Sequence, residues 1–183
     1  MELKAKALHG NNISLRPLGI ADVKSIARWH DDKEIMTMIS LTRTGSEEYW
    51  SMWLEKKLQS PSVIYFGIVR KSDDVLIGYT HLEELYLSQK ICRDVGILIG
   101  EKEEWSKGYG TKAMELLLGF SFEELGLHRL ELMTFVFNRR GIRVWEKCGF
   151  KREGVMRKAR LANGEWHDLY FYALLEDEYR RRK

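Results

Sequence analysis

The segment Trp105-Ser106-Lys107-Gly108-Tyr109-Gly110-Thr111 sets two glycines around an aromatic ring, immediately ahead of a run that reads as helix. Glycines lack a Cβ, so a main chain built from them approaches a ligand closely, and the first N–H groups of a helix have no partners within it. Together with the positive end of the helix dipole, this arrangement holds an anion, above all a phosphate. Lys107 and Thr111 add a charge and a hydroxyl beside it. A second stretch, NRRGIRVWEKCGF from Asn138 to Phe150, opens on a residue type that caps helices and closes on a helix-terminating Gly149. It carries Arg140 and Arg143, which either reach an anion or face solvent. Carboxylates suited to proton transfer stand at Glu83, Glu84 and Asp94. Adjacent strand residues face opposite sides, so at most one of Glu83 and Glu84 points into a given cleft. His81 and His128 are further candidates, with His128 better suited to packing or capping.

These residues need a frame, and the hydrophobic pattern supplies one. NISLRPL alternates like a short strand, and GIADVKSIARWH then puts Ile20, Val23, Ala27 and His30 on one helical face. Ser46 is a cap for a helix with Glu47 and Glu48 in its first turn and Trp50, Leu54 and Leu58 four residues apart. VIYFGIVR and VLIGYTHLEELYL read as strands joined by the turn KSDD, and ICRDVGILIG as a third. The glycine segment and a helix with Met114, Leu117, Leu118 and Leu125 inward come next, then the strand RLELMTFVF, the Asn-capped helix, and strands near 151–160 and 165–174 around ANGE. The expected order is strand, two helices, three strands, helix, strand, helix, two strands. That is a mixed α/β pattern of six to seven strands and about four helices, with one central crossover.

Composition excludes several classes. With 183 residues, 44% hydrophobic and 31% charged, the chain is expected to form one domain with an ordinary core. No apolar run approaches the ~20 residues a membrane span needs, and MELKAKALHG lacks the apolar centre of a secretory signal, so a cytoplasmic protein is expected, with no membrane partner. Cys92 and Cys148 are too few for a metal cluster or disulfide framework. The net charge of +3 is mild and the tail RRRK reads as a solvated helix end, so no nucleic-acid partner is expected.

Three readings of the glycine segment compete. A nucleotide P-loop needs four residues between its glycines and then Gly-Lys-Ser/Thr, which this chain lacks. A dinucleotide fingerprint fits the spacing of Gly108, Gly110 and Ala113, with Glu131 as a ribose-binding acid, but EKEEWSK separates the glycines from the preceding strand. The third reading takes Asp94 to Phe150 as a whole. Its strand, loop, helix, strand and Asn-capped helix resemble the GNAT superfamily of acetyl-CoA-dependent N-acetyltransferases. The family's Q/R-x-x-G-x-G/A loop is matched from Trp105 to Gly110, with tryptophan in the first position, and its second motif is matched by NRRGIRVWEKCGF. The tryptophan, the opening NNISLRPL and the closing RLANGEWHDLYFYALLEDEY are similar to the branch holding ribosomal-protein N-terminal and spermidine acetyltransferases.

The resemblance implies a GNAT fold with a twisted, mostly antiparallel sheet, acetyl-CoA as acetyl donor, an amine acceptor, no metal, and a homodimer. It implies that the pyrophosphate sits on Trp105, Ser106, Lys107, Gly108, Tyr109, Gly110 and Thr111. The strand at Ile97, Leu98 and Ile99 would splay from RLELMTFVF and pair its free backbone with the pantetheine arm, N–H groups near Leu98 and Ile99 serving the oxyanion. Asn138 is a helix cap that in relatives also lies beside the donor, and Arg143 would reach its phosphates. A lysine-like amine is mostly protonated at neutral pH, so Glu83, Asp94 or a water must take a proton. Where the family often has a tyrosine that protonates the leaving thiolate, this chain has Trp145, whose N–H donates a hydrogen bond but no proton. That departure leaves a water, Tyr170 or Tyr172 as acid, and it raises the alternative of an acyl-CoA-binding sensor without turnover. The acceptor is open among a protein N-terminus, a polyamine, an amino sugar and a small amine.

Overall fold

A computed structural model describes residues 6–39 and 45–183. The segment DDKEIMTMISLTRTG, residues 31–45, which the sequence leads one to expect along the acceptor side, is therefore described except at 40–44, which lie outside those residues. The strands are β1 (Leu8–His9), β2 (Ile13–Pro17), β3 (Ile64–Arg70), β4 (Val75–Tyr86), β5 (Ile91–Ile99), β6 (Arg129–Phe135), β7 (Lys151–Ala162) and β8 (Glu165–Leu175). The helices are α1 (Val23–Asp31), α2 (Lys33–Ile39), α3 (Glu47–Leu58), α4 (Tyr109–Gly119), α5 (Arg139–Lys147) and α6 (Glu176–Arg182). The described residues thus hold eight strands and six helices, more than the sequence pattern predicts. β1 has only two residues, too few for an alternation to register. α2 starts on Asp32, whose Oδ1 accepts from the Glu34 and Ile35 N–H groups. α6 has no buried residue and is laced by Glu176–Arg180 and Asp177–Arg181 pairs, so no apolar stripe announces it.

The sheet runs β1-β2-β3-β4-β5-β6-β8-β7. Every neighbouring pair is antiparallel except β5 and β6, which are parallel and meet only at Ile91–Arg129 and Cys92–Leu130. Beyond Cys92 the two strands part, so the C-terminal half of β5 has a neighbour on one side only. This gap is the feature on which the site is built. It also excludes a doubly wound dinucleotide fold, and Glu131 is occupied by Arg129 at 2.6 Å.

Alternation along the strands gives the sheet two different faces. One carries Phe66, Ile68, Ile77, Leu82 and Val95, buried under Ala113, Met114 and Leu117 of α4 and Cys148 just past the end of α5. The other carries Tyr65, Tyr79 and Leu98 against Val23, Ile26, Ala27 and Trp29 of α1 and Trp50 and Leu54 of α3. Ser46 caps α3 by accepting from the Tyr49 N–H at 3.3 Å, while Leu58 at the other end is exposed.

Candidate active site

Asn138 fixes the start of α5, its Oδ1 accepting from the Gly141 N–H at 3.0 Å. A Cβ on residue 141 would fall 2.6 Å from Asn138 Nδ2, so glycine there makes room for the cap. The same Nδ2 donates to the Met38 carbonyl at 3.3 Å, tying α5 to the end of α2. Gly108 caps α4 at φ +86°, a left-handed conformation that favours glycine, and no side chain caps it. The N–H groups of Tyr109, Gly110 and Thr111 are therefore left facing outward at the positive end of the helix.

Between these two helix starts lies a cleft of about 280 Å³. Ile97, Leu98, Ile99, Trp105, Ser106, Gly108, Tyr109, Gly110, Thr111, Asn138 and Arg143 all border it, and Ile35, Met38 and Ile39 of α2 close its far side. Lys107 is the one loop residue of the expected set that does not border it; its ammonium lies 3.2 Å from Glu104. Arg140 and Lys147 join Arg143 on the wall. These three fall at i, i+3 and i+7 of α5, one helical face, a spacing that could have drawn Lys147 from the sequence. Arg140 also stacks on the Trp105 ring, 4.1 Å from its centroid.

The backbone of β5 has a definite polarity in this cleft. Gly100 donates its N–H to the Ile77 carbonyl, and the Gly96 carbonyl accepts from Thr80 Oγ1. Alternation then turns the polar groups of Gly96 and Leu98 toward β4 and those of Ile97 and Ile99 into the gap. The expected oxyanion donor near Leu98 is corrected accordingly: the Leu98 N–H is turned toward β4, and those of Ile97 and Ile99 face the opening. Trp105 Nε1 donates to the Ile99 carbonyl at 2.7 Å. The tryptophan in the first motif position thus pins the loop to the end of β5.

The catalytic candidates separate. Glu83 sits on the α1–α3 face, where its carboxylate takes hydrogen bonds from Lys57 and the Tyr65 hydroxyl. Glu84 is exposed, in a left-handed conformation at φ 51°. Asp94 pairs with Glu83 in the β4–β5 register and has 52% of its side chain exposed. Desolvation acts to raise its pKa, but His81 at 3.8 Å and the charges of Lys57 and Arg160 outweigh that and hold it below the usual aspartate value. Trp145 does not border the cleft. It is 5% exposed, packed edge-on against Phe150, and its Nε1 has no partner among the described residues. Each helical residue turns about 100°, so the step from Val144 on the wall to Trp145 carries the indole into the core. The expected handicap at the thiolate, and the sensor it suggested, lose their ground. Tyr172 donates to Glu146 at 3.0 Å and Tyr170 packs on Arg152, and neither borders the cleft. Burial pushes the Cys92 and Cys148 thiols up to about 12, so neither supplies a thiolate nucleophile.

No helix of the described residues is long and apolar enough to cross a membrane. Residues 12–151 match the family described as acetyltransferase (GNAT) domain. Over 180 residues the chain is 29% identical to a Bacillus subtilis protein named "Probable N-acetyltransferase YjcK", covering 93% of this chain and 98% of that one. It is 24% identical to a spermidine N(1)-acetyltransferase of Vibrio cholerae over 172 residues, covering 94% and 98%. A crystal structure of spermidine N-acetyltransferase from Vibrio cholerae, in complex with CoA and spermine, has the same fold, with a TM-score of 0.87 at 23% identity over 93% of this chain and 99% of that one.

Proposed function

The chain belongs to the acetyltransferase (GNAT) family and is an acetyl-CoA-dependent N-acetyltransferase, and on that premise we propose how its own residues hold the donor and which face receives the amine. The observation that carries the proposal is a single cleft bordered by the α4 N–H groups, the backbone of Ile97 and the N–H of Ile99, and α2 on the opposite face of the sheet. A donor entering over α4 places its diphosphate on the N–H groups of Tyr109 to Thr111. Arg140, Arg143 and Lys147 supply the counter-charge. The amide-bearing arm takes the place that β6 vacates, pairing with Ile97 and Ile99 as an added strand. The thioester then emerges toward the α1–α3 face beside Leu98.

The acceptor comes from that face. Asp94, charged and open, attracts an ammonium, whereas Glu83 is already neutralised by Lys57. The amine attacks the carbonyl directly, an Ile97 or Ile99 N–H receives the oxyanion, and the thiolate leaves with ordinary pKa near ~8.5, which does not demand a strong acid. With both cysteines buried as thiols, no acyl-enzyme step is required. Every group named lies on one chain, which we read as a single N-acetyltransferase domain over residues 1–183.

Thiol release from acetyl-CoA tests this, with spermidine, a serine-initiated peptide, glucosamine and benzylamine offered in turn as representatives of the four acceptor classes. Release above the amine-free rate for at least one of them is the expected result. Tight binding of acetyl-CoA with no release for any of the four would contradict the proposed acceptor face.

A further inference from the structure

The end of the cleft that meets α2 has a chemistry of its own. The α4 N–H groups lie on one face of the sheet and α2 on the other, so a donor anchored by its phosphates at the first ends with its acyl group against the second. Leu98 of β5 and Ile35, Met38 and Ile39 of α2 border the cleft there, and all of them are apolar. An acetyl group presents a single methyl to such a wall. Hydrocarbon and thioether side chains offer that methyl nothing that a longer saturated chain does not receive as well. Discrimination between the two then rests on volume alone, at about 10–200-fold per methylene where the wall cannot yield.

The wall residues differ in how far they can yield. Leu98 and Ile35 are buried in the core between the sheet and helices α1 and α3, and Ile39 is packed against that core. Isoleucine in a helix is also held to one strongly preferred χ1 rotamer. Met38 is half-buried and belongs to none of the apolar clusters of the described residues. Its side chain is unbranched, with three rotatable bonds, and adapts to the shape beside it. Its backbone, by contrast, is held. The Met38 carbonyl accepts from Asn138 Nδ2 at 3.3 Å, and the same Nδ2 lies 3.3 Å from Thr134 Oγ1 of β6. Helix α2 therefore stays at the cleft while one of its side chains is free to turn aside.

We propose that the enzyme also transfers the longer saturated acyl groups propionyl and butyryl from their coenzyme A thioesters, and that Met38 sets the chain length it accepts. The proposal rests on the acetyl-transfer reading above and leaves its chemistry as it is. The lone pair of the neutral amine forms the C–N bond to the acyl carbonyl, and the C–S bond breaks with its pair on sulfur. The new amide nitrogen sheds one proton and the thiolate takes one up. Amine and acyl-CoA thus give amide and free thiol, with no co-reactant. The extra carbon of a propionyl group displaces the Met38 thioether. The next carbon, in butyryl, presses on Ile35 and Ile39, which hold their places.

The test follows thiol release from acetyl-, propionyl- and butyryl-CoA, with whichever of spermidine, serine-initiated peptide, glucosamine or benzylamine the unaltered enzyme acetylates. The quantity read is kcat/KM for each donor divided by that for acetyl-CoA in the same preparation, a ratio in which any inactive fraction cancels. The unaltered enzyme is expected to use propionyl-CoA within about tenfold of acetyl-CoA, and butyryl-CoA less well. Met38→Ala should raise the butyryl ratio about tenfold or more, and Met38→Phe should lower the propionyl ratio by as much. Should the phenylalanine variant fail to fold, Met38→Ala decides alone. A merely structural role for Met38 would slow all three donors together and leave the ratios where they were. Unchanged ratios in Met38→Ala, or no propionyl transfer by the unaltered enzyme, overturn the proposal and leave the acetyl-transfer reading standing. No thiol release from acetyl-CoA with any of the amines overturns both.

Discussion

His30 lies between Trp50 and Tyr79 with none of its surface exposed, its ring centroid 4.1 Å from that of Trp50 and its Nε2 3.0 Å from the Tyr79 hydroxyl. Burial disfavours the imidazolium and lowers the pKa to about 4. In the unfolded chain the group titrates near ~6.5, so its contribution is complete above that pH and declines as pH falls toward 4. The expected loss is roughly 1.4 kcal/mol per pH unit, ~3 kcal/mol across the window. Urea titrations between pH 7 and pH 4 check it, and His30→Phe should flatten most of the slope. The sequence placed His30 on the buried face of its helix, because Val23, Ala27 and His30 recur at helical spacing. It gave no sign of the same kind for Trp145. A motif aligns residue types without fixing which way a helix is rolled, and here the cleft face ends at Val144. Nor does a strand's sequence reveal which residues turn their N–H groups into a gap. That depends on the partner strand, and it separates Ile97 and Ile99 from Leu98.

Among the elements, α5 shows how a capped helix becomes a wall. Asn138 starts it, Gly141 leaves the cap room, and Arg140, Arg143 and Lys147 follow along one face beside the open N-terminus of α4. Removing charge from this stripe should weaken donor binding without unfolding the chain, since Arg143 and Lys147 are exposed. Arg143→Gln with Lys147→Gln is expected to raise the dissociation constant of acetyl-CoA about 10-fold or more, each charge-assisted hydrogen bond being worth ~1.5–3 kcal/mol before solvent screening. The difference from the unaltered protein should shrink in high salt. Calorimetry at two ionic strengths reads both effects. A fully retained affinity would remove α5 from the binding surface. The caps at Ser46 and Asn138 were legible because capping is local chemistry. α2 was not, since seven residues after Asp32 carry too little periodicity to stand out from a loop.

The molecule as a whole is a sheet broken at one place. Among the described residues seven strand pairings run down the sheet, and one of them, β5 with β6, is kept for two residues and then abandoned. The abandoned backbone would be a liability if it stayed unpaired. Helix α4 on one face and helices α1–α3 on the other leave it covered but open to a ligand that can complete the ladder. The succession of strands from β2 onward along the chain, and one crossover among them, were readable from alternation and motif spacing. The opening itself is a relation between two strands 30 residues and a helix apart, which no local pattern encodes. Amide hydrogen exchange, read residue by residue with and without coenzyme A, tests this picture most directly. The ligand should slow exchange at Ile97 and Ile99, and at Tyr109 to Thr111, while the Leu98 amide, already turned to β4, stays as it was. Exchange at Ile97 and Ile99 unaffected by saturating coenzyme A would contradict it.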